Sequence, residues 1–247
     1  MSLLHYLQLN PVIFLCFCSL IGLSVGSFLN VVAYRLPAML ERDWKSQCRE
    51  LLELHPEDAE EPLFNLSHPP SNCPKCGHKI RIHENIPIIS FLLLRGRCSA
   101  CSQIISPRYP IVEAVTGLLS LTVAWHFGVT WETAAALFLT WALIALSLID
   151  FDHQILPDSI VLPTLWLGLI LSLFDIFTDT QSAIIGAAGG YLSLWSVFQL
   201  FKLITGKEGM GYGDFKLLAL FGAWFGWQAL FQIILISSLV GAVVGLS

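Results

Sequence analysis

Apolar positions in this chain come in long unbroken blocks rather than in the alternation of a half-buried strand or the narrow stripe of a surface helix. Seven blocks stand out, at about 11–34, 110–127, 132–149, 159–177, 181–202, 214–228 and 229–247. About 20 mostly apolar residues in a helix cross roughly 30 Å of hydrocarbon, and inside lipid only helices or closed barrels satisfy their own backbone. The pattern therefore predicts an all-α polytopic membrane protein, a helical bundle of about seven spans. The 214–228 block is short, and a tight turn near Trp227–Gln228 is needed to part it from the next. No Lys or Arg precedes Arg35 and no small-residue cleavage site follows the first block, so it reads as a membrane helix and not as a removable signal. The chain stops at Val243-Val244-Gly245-Leu246-Ser247, in or just after an apolar run. That ending is compatible with a naturally short C-terminus or with a chain that lacks a last span.

Composition sharpens this reading. Of 247 residues, 55% are apolar and 13% are charged, about half the usual charged share of a soluble domain, and the mean hydropathy is +0.70. A disordered chain and an ordinary cytosolic enzyme are excluded, and a net charge of −5 argues against a nucleic-acid partner. The blocks divide the chain into a first membrane helix (1–34), a polar insert (35–108) and a membrane core (109–247). Ten of the thirteen Lys and Arg lie between Arg35 and Arg108, and the others are Lys202, Lys207 and Lys216. An outside N-terminus puts all thirteen on the cytoplasmic side, as the excess of basic residues in cytoplasmic loops requires. The expected topology is multi-pass, with the insert in the cytoplasm.

The insert has two parts. Residues 41–70 read as acidic and irregular, with Glu57, Asp58, Glu60 and Glu61 as a solvated run and Pro69-Pro70 closing the stretch. Beyond them stand Cys73-Pro74-Lys75-Cys76 and Cys98-Ser99-Ala100-Cys101. Each C-x-x-C pair can aim two thiolates at one ion, and two such knuckles complete a tetrahedral site. The rival is a pair of disulfides, which a reducing cytosol disfavours; a structural zinc held by Cys73, Cys76, Cys98 and Cys101 is the reading taken. Gly77 and Gly96 beside the knuckles predict tight turns. Cys16, Cys18 and Cys48 read as unpaired, and His78 and His83 as surface residues.

Ionisable groups at the edge of a span are costly and point to function. Asp150 closes the third block in Ile149-Asp150-Phe151-Asp152-His153, and Asp214 opens the sixth in Gly211-Tyr212-Gly213-Asp214. Two spans separate them, so the topology puts both at the cytoplasmic border. Two carboxyl groups there could share peptide hydrolysis, one protonated against the scissile carbonyl and one activating water. Position relative to the helix dipole assigns the proton to Asp150, at a helix C-terminus, and the charge to Asp214, at an N-terminus. Gly211 and Gly213 lack Cβ atoms and would let a peptide approach Asp214, with Tyr212 between them. Each acid also has a plainer reading: Asp214 as a helix N-cap, Asp158 as the N-cap of the fourth span, and Asp152 and His153 as loop residues at the headgroups. Arg95 and Arg97 read as interfacial anchors and Glu113 as a partner of Arg108.

Together these residues match a family. The Gly211-Tyr212-Gly213-Asp214 element resembles the G-x-G-D signature of intramembrane aspartyl proteases. With Asp150, Leu156-Pro157-Asp158, the cysteine pairs and the Gly26–Pro37 segment (containing Asn30 and Arg35), the chain resembles the bacterial prepilin peptidases, or type 4 prepilin leader peptidase/N-methyltransferases. The resemblance implies an endopeptidase whose catalytic aspartates map onto Asp150 and Asp214 and whose zinc ligands map onto the four cysteines. Its substrates would be type IV prepilins and type II secretion pseudopilins, cut after a glycine at the cytoplasmic face. The new N-terminus would then be methylated from S-adenosylmethionine, whose binding residues the sequence does not reveal, because nothing in it resembles a nucleotide-binding β-α-β unit. Members of the family normally carry one more span, which favours a missing last span here. Two other readings remain: a proton- or cation-coupled transporter, disfavoured because transport sites sit near the midplane, and a non-enzymatic zinc-bound scaffold.

Overall fold

The computed structural model describes residues 3–53 and 63–246, so the acidic run Glu57, Asp58, Glu60 and Glu61 lies outside the described residues. Among the described residues there is no β-strand, only two isolated bridges, Asn72 with Lys79 and Arg97 with Ile104. The chain is all-helical, as the apolar blocks predict. It divides into two compact units, Met1–His153 and Gln154–Ser247.

The first unit holds α1 (Leu3–Leu9), α2 (Pro11–Leu51), a 3-10 turn at Ile82–Asn85, α3 (Ile89–Leu93), α4 (Arg108–Phe127) and α5 (Trp131–His153). Pro11 opens α2 at the position where a missing N–H costs nothing. The helix then runs for 41 residues, about 60 Å at 1.5 Å per residue, twice the thickness of the hydrocarbon. This corrects the irregular reading of the first part of the insert: residues 41–51 continue the helix of the first span. Helix formers dominate that stretch, and Glu41 and Lys45 close an i, i+4 ion pair at 2.6 Å. Pro37 sits inside the helix and does not end it.

Small residues let α2 and α4 approach each other closely. A Cβ on Gly26 would fall 2.8 Å from the Glu113 Cα, and one on Gly117 would fall 2.7 Å from the Leu23 side chain. Close backbone approach of this kind is how helices associate in lipid, where burial of apolar surface supplies little. Further along the bundle, Cys18, Ala124 and Leu137 form a buried cluster flanked by Phe14, Leu15, Val123 and Trp141. The Trp141 indole N–H donates to Ser120 Oγ at 3.0 Å, so its one polar atom is satisfied inside the unit.

The second unit holds α6 (Asp158–Ser172), α7 (Thr180–Thr205), α8 (Tyr212–Phe225) and α9 (Trp227–Leu246). Gly186 on α7 meets Gly222 on α8 backbone to backbone, and a Cβ on Gly190 would come 2.7 Å from the Leu218 carbonyl oxygen. Buried Trp224 ties α8 to α6 by donating to the Thr164 carbonyl at 2.8 Å. The expected break before Trp227 is present, made by Gly226 at φ +77. Among the described residues four helices, α2, α4, α5 and α7, are long and apolar enough to cross a bilayer, and Asp158–Ser172 and Trp227–Val243 are shorter apolar helices.

Candidate functional site

The two cysteine knuckles are built alike. In the first, the Cys73 N–H donates to the His78 carbonyl at 2.9 Å and the Gly77 N–H returns to the Cys73 carbonyl at 2.9 Å. In the second, Cys98 donates to Gln103 at 2.8 Å and Ser102 returns to Cys98 at 3.0 Å. The same step of each repeat takes the left-handed conformation: Gly77 at φ +71 and Ser102 at φ +56. Gly96, at φ +66, makes the expected tight turn but plays a different part: its N–H closes the end of α3 on the Phe91 carbonyl at 2.8 Å. Ser102, a non-glycine held where glycine is at home, carries no signal in the sequence except its register within the repeat.

All four cysteines are free thiols. Their Sγ atoms lie within 4.8 Å of one another, with Cys73 and Cys101 at 3.7 Å and Cys76 and Cys98 at 4.0 Å. A tetrahedral ion with Zn–S bonds of about 2.3 Å spaces its sulfurs by about 3.8 Å, so the cluster fits one metal ion and each close pair joins one knuckle to the other. The backbone N–H groups of Cys76 and Lys75 hold the Cys73 thiol at about 6. At Cys76 the His78 N–H lowers the value, but the Cys101 side chain, burial, and the Cys73 and Cys98 side chains together push it up to about 12. A cation entering this set would displace the remaining thiol protons. His83 is exposed, as expected, whereas His78 is half-buried and meets Glu84 at 3.3 Å and Ser99 Oγ at 3.3 Å. The Arg81 N–H, with the Ser99 hydroxyl and His78, holds the Glu84 carboxyl at about 2.

Asp150 is exposed on α5, whose last residue is His153. Asp152 and His153 are also helical, not loop residues. Asp152 accepts both guanidinium arms of Arg108, at 2.8 and 2.6 Å, tying the end of α5 to the start of α4. Glu113 is therefore not the partner of Arg108. It is only 8% exposed and accepts the Ile88 backbone N–H at 2.7 Å. The carboxylate on the facing helix end offers a bidentate match to Arg108, while Glu113 points toward the insert.

Asp214 is exposed in the first turn of α8, three residues after the N-cap, which is Gly211. The N-cap reading of Asp214 is thus replaced. So is that of Asp158: Pro157 caps α6 and Asp158 is its first residue, accepting Lys216 Nζ at 2.8 and 2.7 Å. The neighbouring positions of this first turn are each engaged. A Cβ on Gly213 would lie 2.9 Å from Leu156 Cβ, Phe215 is buried with its ring 5.5 Å from Phe198, and Tyr212 packs on Phe198 at 5.3 Å. Residues 100° apart on a helix point different ways, so these three contacts fix the rotation of the turn that carries Asp214. Asp150 belongs to the first unit and Asp214 to the second.

Two polar residues of the Gly26–Pro37 segment have tertiary roles. Buried Arg35 donates to the carbonyls of Asn65 (3.0 Å), Leu66 (3.4 Å) and Pro69 (2.6 Å). Asn30 Nδ2 reaches the Gly26 carbonyl at 3.2 Å and the Tyr109 carbonyl at 3.4 Å. The signal was present in the sequence, since an amide and a guanidinium at the end of an apolar block need internal partners.

The fold and the cysteine cluster define a multi-helix membrane protein with a four-cysteine hairpin of a geometry that could hold a metal ion. The Bacterial Peptidase A24 N-terminal domain matches residues 20–127, and the Type IV leader peptidase family matches residues 137–246. The chain is 60% identical to the prepilin leader peptidase/N-methyltransferase of Pseudomonas aeruginosa, over 99% of this chain and 84% of that protein. It is equally similar to the protein of that name from Stutzerimonas stutzeri, and 52% identical to the one from Neisseria gonorrhoeae over 92% of this chain and 80% of that protein. No solved structure matches the chain. The chain belongs to the type IV leader peptidase family.

Proposed function

We propose that this protein is a membrane aspartyl endopeptidase that removes the basic leader from type IV prepilins and type II secretion pseudopilins at the cytoplasmic face and then N-methylates the new N-terminus. The observation that carries the reading is the Gly211–Asp214 turn: an exposed carboxylate on a first helical turn fixed on its other sides, in a chain whose relatives bear the name prepilin leader peptidase/N-methyltransferase. In this reading Asp150 and Asp214 act together beneath the inner leaflet. Asp214 takes a proton from water as the water oxygen adds to the scissile carbonyl carbon. Asp150 hydrogen-bonds the carbonyl oxygen, and the C–N bond then breaks with a proton passed to the leaving amine. Gly211, Tyr212 and Gly213 line the approach of the substrate backbone. No covalent intermediate is involved in this reading, because the two carboxyl groups activate water directly, and the Ser99 hydroxyl beside His78 belongs to the cysteine hairpin.

The ion in the cysteine cluster is zinc in a structural role, because four thiolates leave no open position for a substrate. The methyl donor is S-adenosylmethionine by resemblance. The described residues contain no β-strand and so none of the usual β-α-β nucleotide unit, and no step is routed through that group. The topology has an outside N-terminus, the insert in the cytoplasm and about seven spans, with α6, α8 and α9 also crossing.

The test is incubation of the purified protein with a prepilin in detergent, with and without Asp150→Asn and Asp214→Asn, followed by mass spectrometry of the product. Each substitution is expected to abolish cleavage while leaving the helical content and bound metal unchanged. A doubly substituted protein that still trims its substrate overturns the proposal.

A further inference from the structure

Around the cysteine hairpin the charge balance of the chain reverses. The whole chain carries −5, yet within 72–105 Lys75, Lys79, Arg81, Arg95 and Arg97 stand against the single acid Glu84. The same segment contains α3, whose Ile89, Leu92 and Leu93 fall at i, i+3 and i+4, one side of a helix. They are 54%, 67% and 77% exposed. Arg95 and Arg97, both exposed, follow directly. An apolar stripe beside arginines is the make-up of a helix lying in a membrane interface.

Depth is set by a second observation. Ile88, the N-cap of α3, is held at φ +59, an outlier for a β-branched residue, and its N–H donates to buried Glu113 at 2.7 Å. Glu113 lies five residues inside α4, about 7 Å along the helix axis from its start, and α4 is one of the bilayer-length helices. The start of α3 is thereby pinned level with the second turn of a membrane helix. Lifting it into the cytosol would strip a buried carboxylate of its hydrogen bond. On another side of α4, two residues before Glu113, Ile111 is exposed and gives a lipid-facing position at a comparable depth.

We infer that α3 is embedded in the headgroup–acyl boundary of the membrane that α4 crosses, with Ile89, Leu92 and Leu93 among the acyl chains and Arg95 and Arg97 on anionic lipid phosphates. The charge selects lipid over the other occupants. A second copy would bring the same basic face, and a basic leader peptide would be repelled. Arginine side chains can bury their stems along the apolar layer while the guanidinium groups reach the phosphates, and the anionic leaflet attracts them.

The experiment places the fluorescent residue dansylalanine at Leu93, where high exposure means that no packing is lost, in the full chain reconstituted into nanodiscs open on both faces. Discs are made of phosphatidylcholine alone or with one-third phosphatidylglycerol, and the same label at Ile111 serves as the lipid-facing reference. The Leu93 label is expected to be quenched by doxyl-bearing lipid to within twofold of the Ile111 label, and to be protected from aqueous iodide. Its emission should shift further to the blue with phosphatidylglycerol, and Arg95→Gln/Arg97→Gln should remove that dependence. Quenching by iodide at the rate of a free label overturns the inference. So does protection from both quenchers, which would mean that protein, such as a second copy, covers the stripe. Indifference to phosphatidylglycerol in the unsubstituted arginine background overturns the headgroup contact.

Discussion

Gly213→Ala isolates the positioning of Asp214 from the stability of the fold. The new Cβ would lie 2.9 Å from Leu156 Cβ, 3.1 Å from its Cδ1 and 3.4 Å from its Cγ, where carbon atoms at rest stand about 3.5–4.0 Å apart. The first turn of α8 must therefore back away from Leu156 by roughly half an ångström or more. Overpacking of this kind costs about 1–3 kcal/mol, while alanine in place of glycine in a helix returns up to about 1 kcal/mol. Thermal stability should consequently fall by no more than a few degrees, whereas the carboxylate on the next residue moves with the turn. Because misplacement by about 1 Å can cost about a hundredfold in rate, kcat/KM for prepilin cleavage should fall by about tenfold. Leu156→Ala removes the Cγ and Cδ1 contacts but keeps Cβ, so the double variant should recover part of the loss and show coupling in a double-mutant cycle. Gly211→Ala separates the two roles of this turn: a Cβ there meets only Asp214 Oδ2, at 3.9 Å, so any loss of cleavage reports on the approach of the substrate and should not be recovered by Leu156→Ala. Cleavage is followed by the mass shift of the prepilin and stability by thermal melting in the same detergent. Normal cleavage by Gly213→Ala, or strictly additive effects of Gly213→Ala and Leu156→Ala, would refute the idea that this contact sets the position of Asp214.

Gly77 stands at φ +71 with nothing within 4 Å of the place a Cβ would occupy, so Gly77→Ala meets only the backbone cost of the left-handed region, at least about 1 kcal/mol. Where metal binding orders the hairpin, that cost appears as about a fivefold weaker zinc affinity in competition with a chromophoric chelator, and Gly77→Asn, which tolerates the left-handed region, should lose less. The Asp158–Lys216 pair is partly exposed, at 53% and 30% for the two side chains, so Asp158→Asn should cost at most about 1 kcal/mol. The charge-reversed pair Asp158→Lys/Lys216→Asp should recover most of that in thermal melts, and no recovery would mean that the two side chains act separately. Arg108→Gln deprives Asp152 of its bidentate partner at the end of α5 and should lower the melting temperature of the whole protein more than Asp158→Asn does. Equal effects would show that the link between α4 and α5 adds nothing beyond a surface pair.

What the sequence made legible and what it hid divide by the distance along the chain over which each feature is decided. The apolar blocks, the break before Trp227 and the two knuckles are local: each knuckle closes by hydrogen bonds between residues four and five apart, as Gly77 to Cys73 and Cys73 to His78. The helix past Arg35 was hidden because dense charge looks like irregularity, although Glu41 and Lys45 are spaced to support a helix. The partners of the charged residues could not be read, because carboxylates compete for one cation and only tertiary contact decides. Arg108 has Glu113 five residues away on its own helix, yet pairs with Asp152 at a separation of 44, and Lys216 finds Asp158 at a separation of 58. That choice frees Glu113 to hold the Ile88 N–H, just as Arg35 is spent on carbonyls ahead of Cys73 and not on an acid. The cysteine hairpin is consequently gripped at both of its approaches by a buried polar side chain, Arg35 from α2 and Glu113 from α4. Burying a polar group is costly unless hydrogen bonds compensate it, so neither grip can open without leaving its own side chain unsatisfied. The hairpin therefore behaves as a fixed extension of the α2–α4 pair rather than as a domain on a tether.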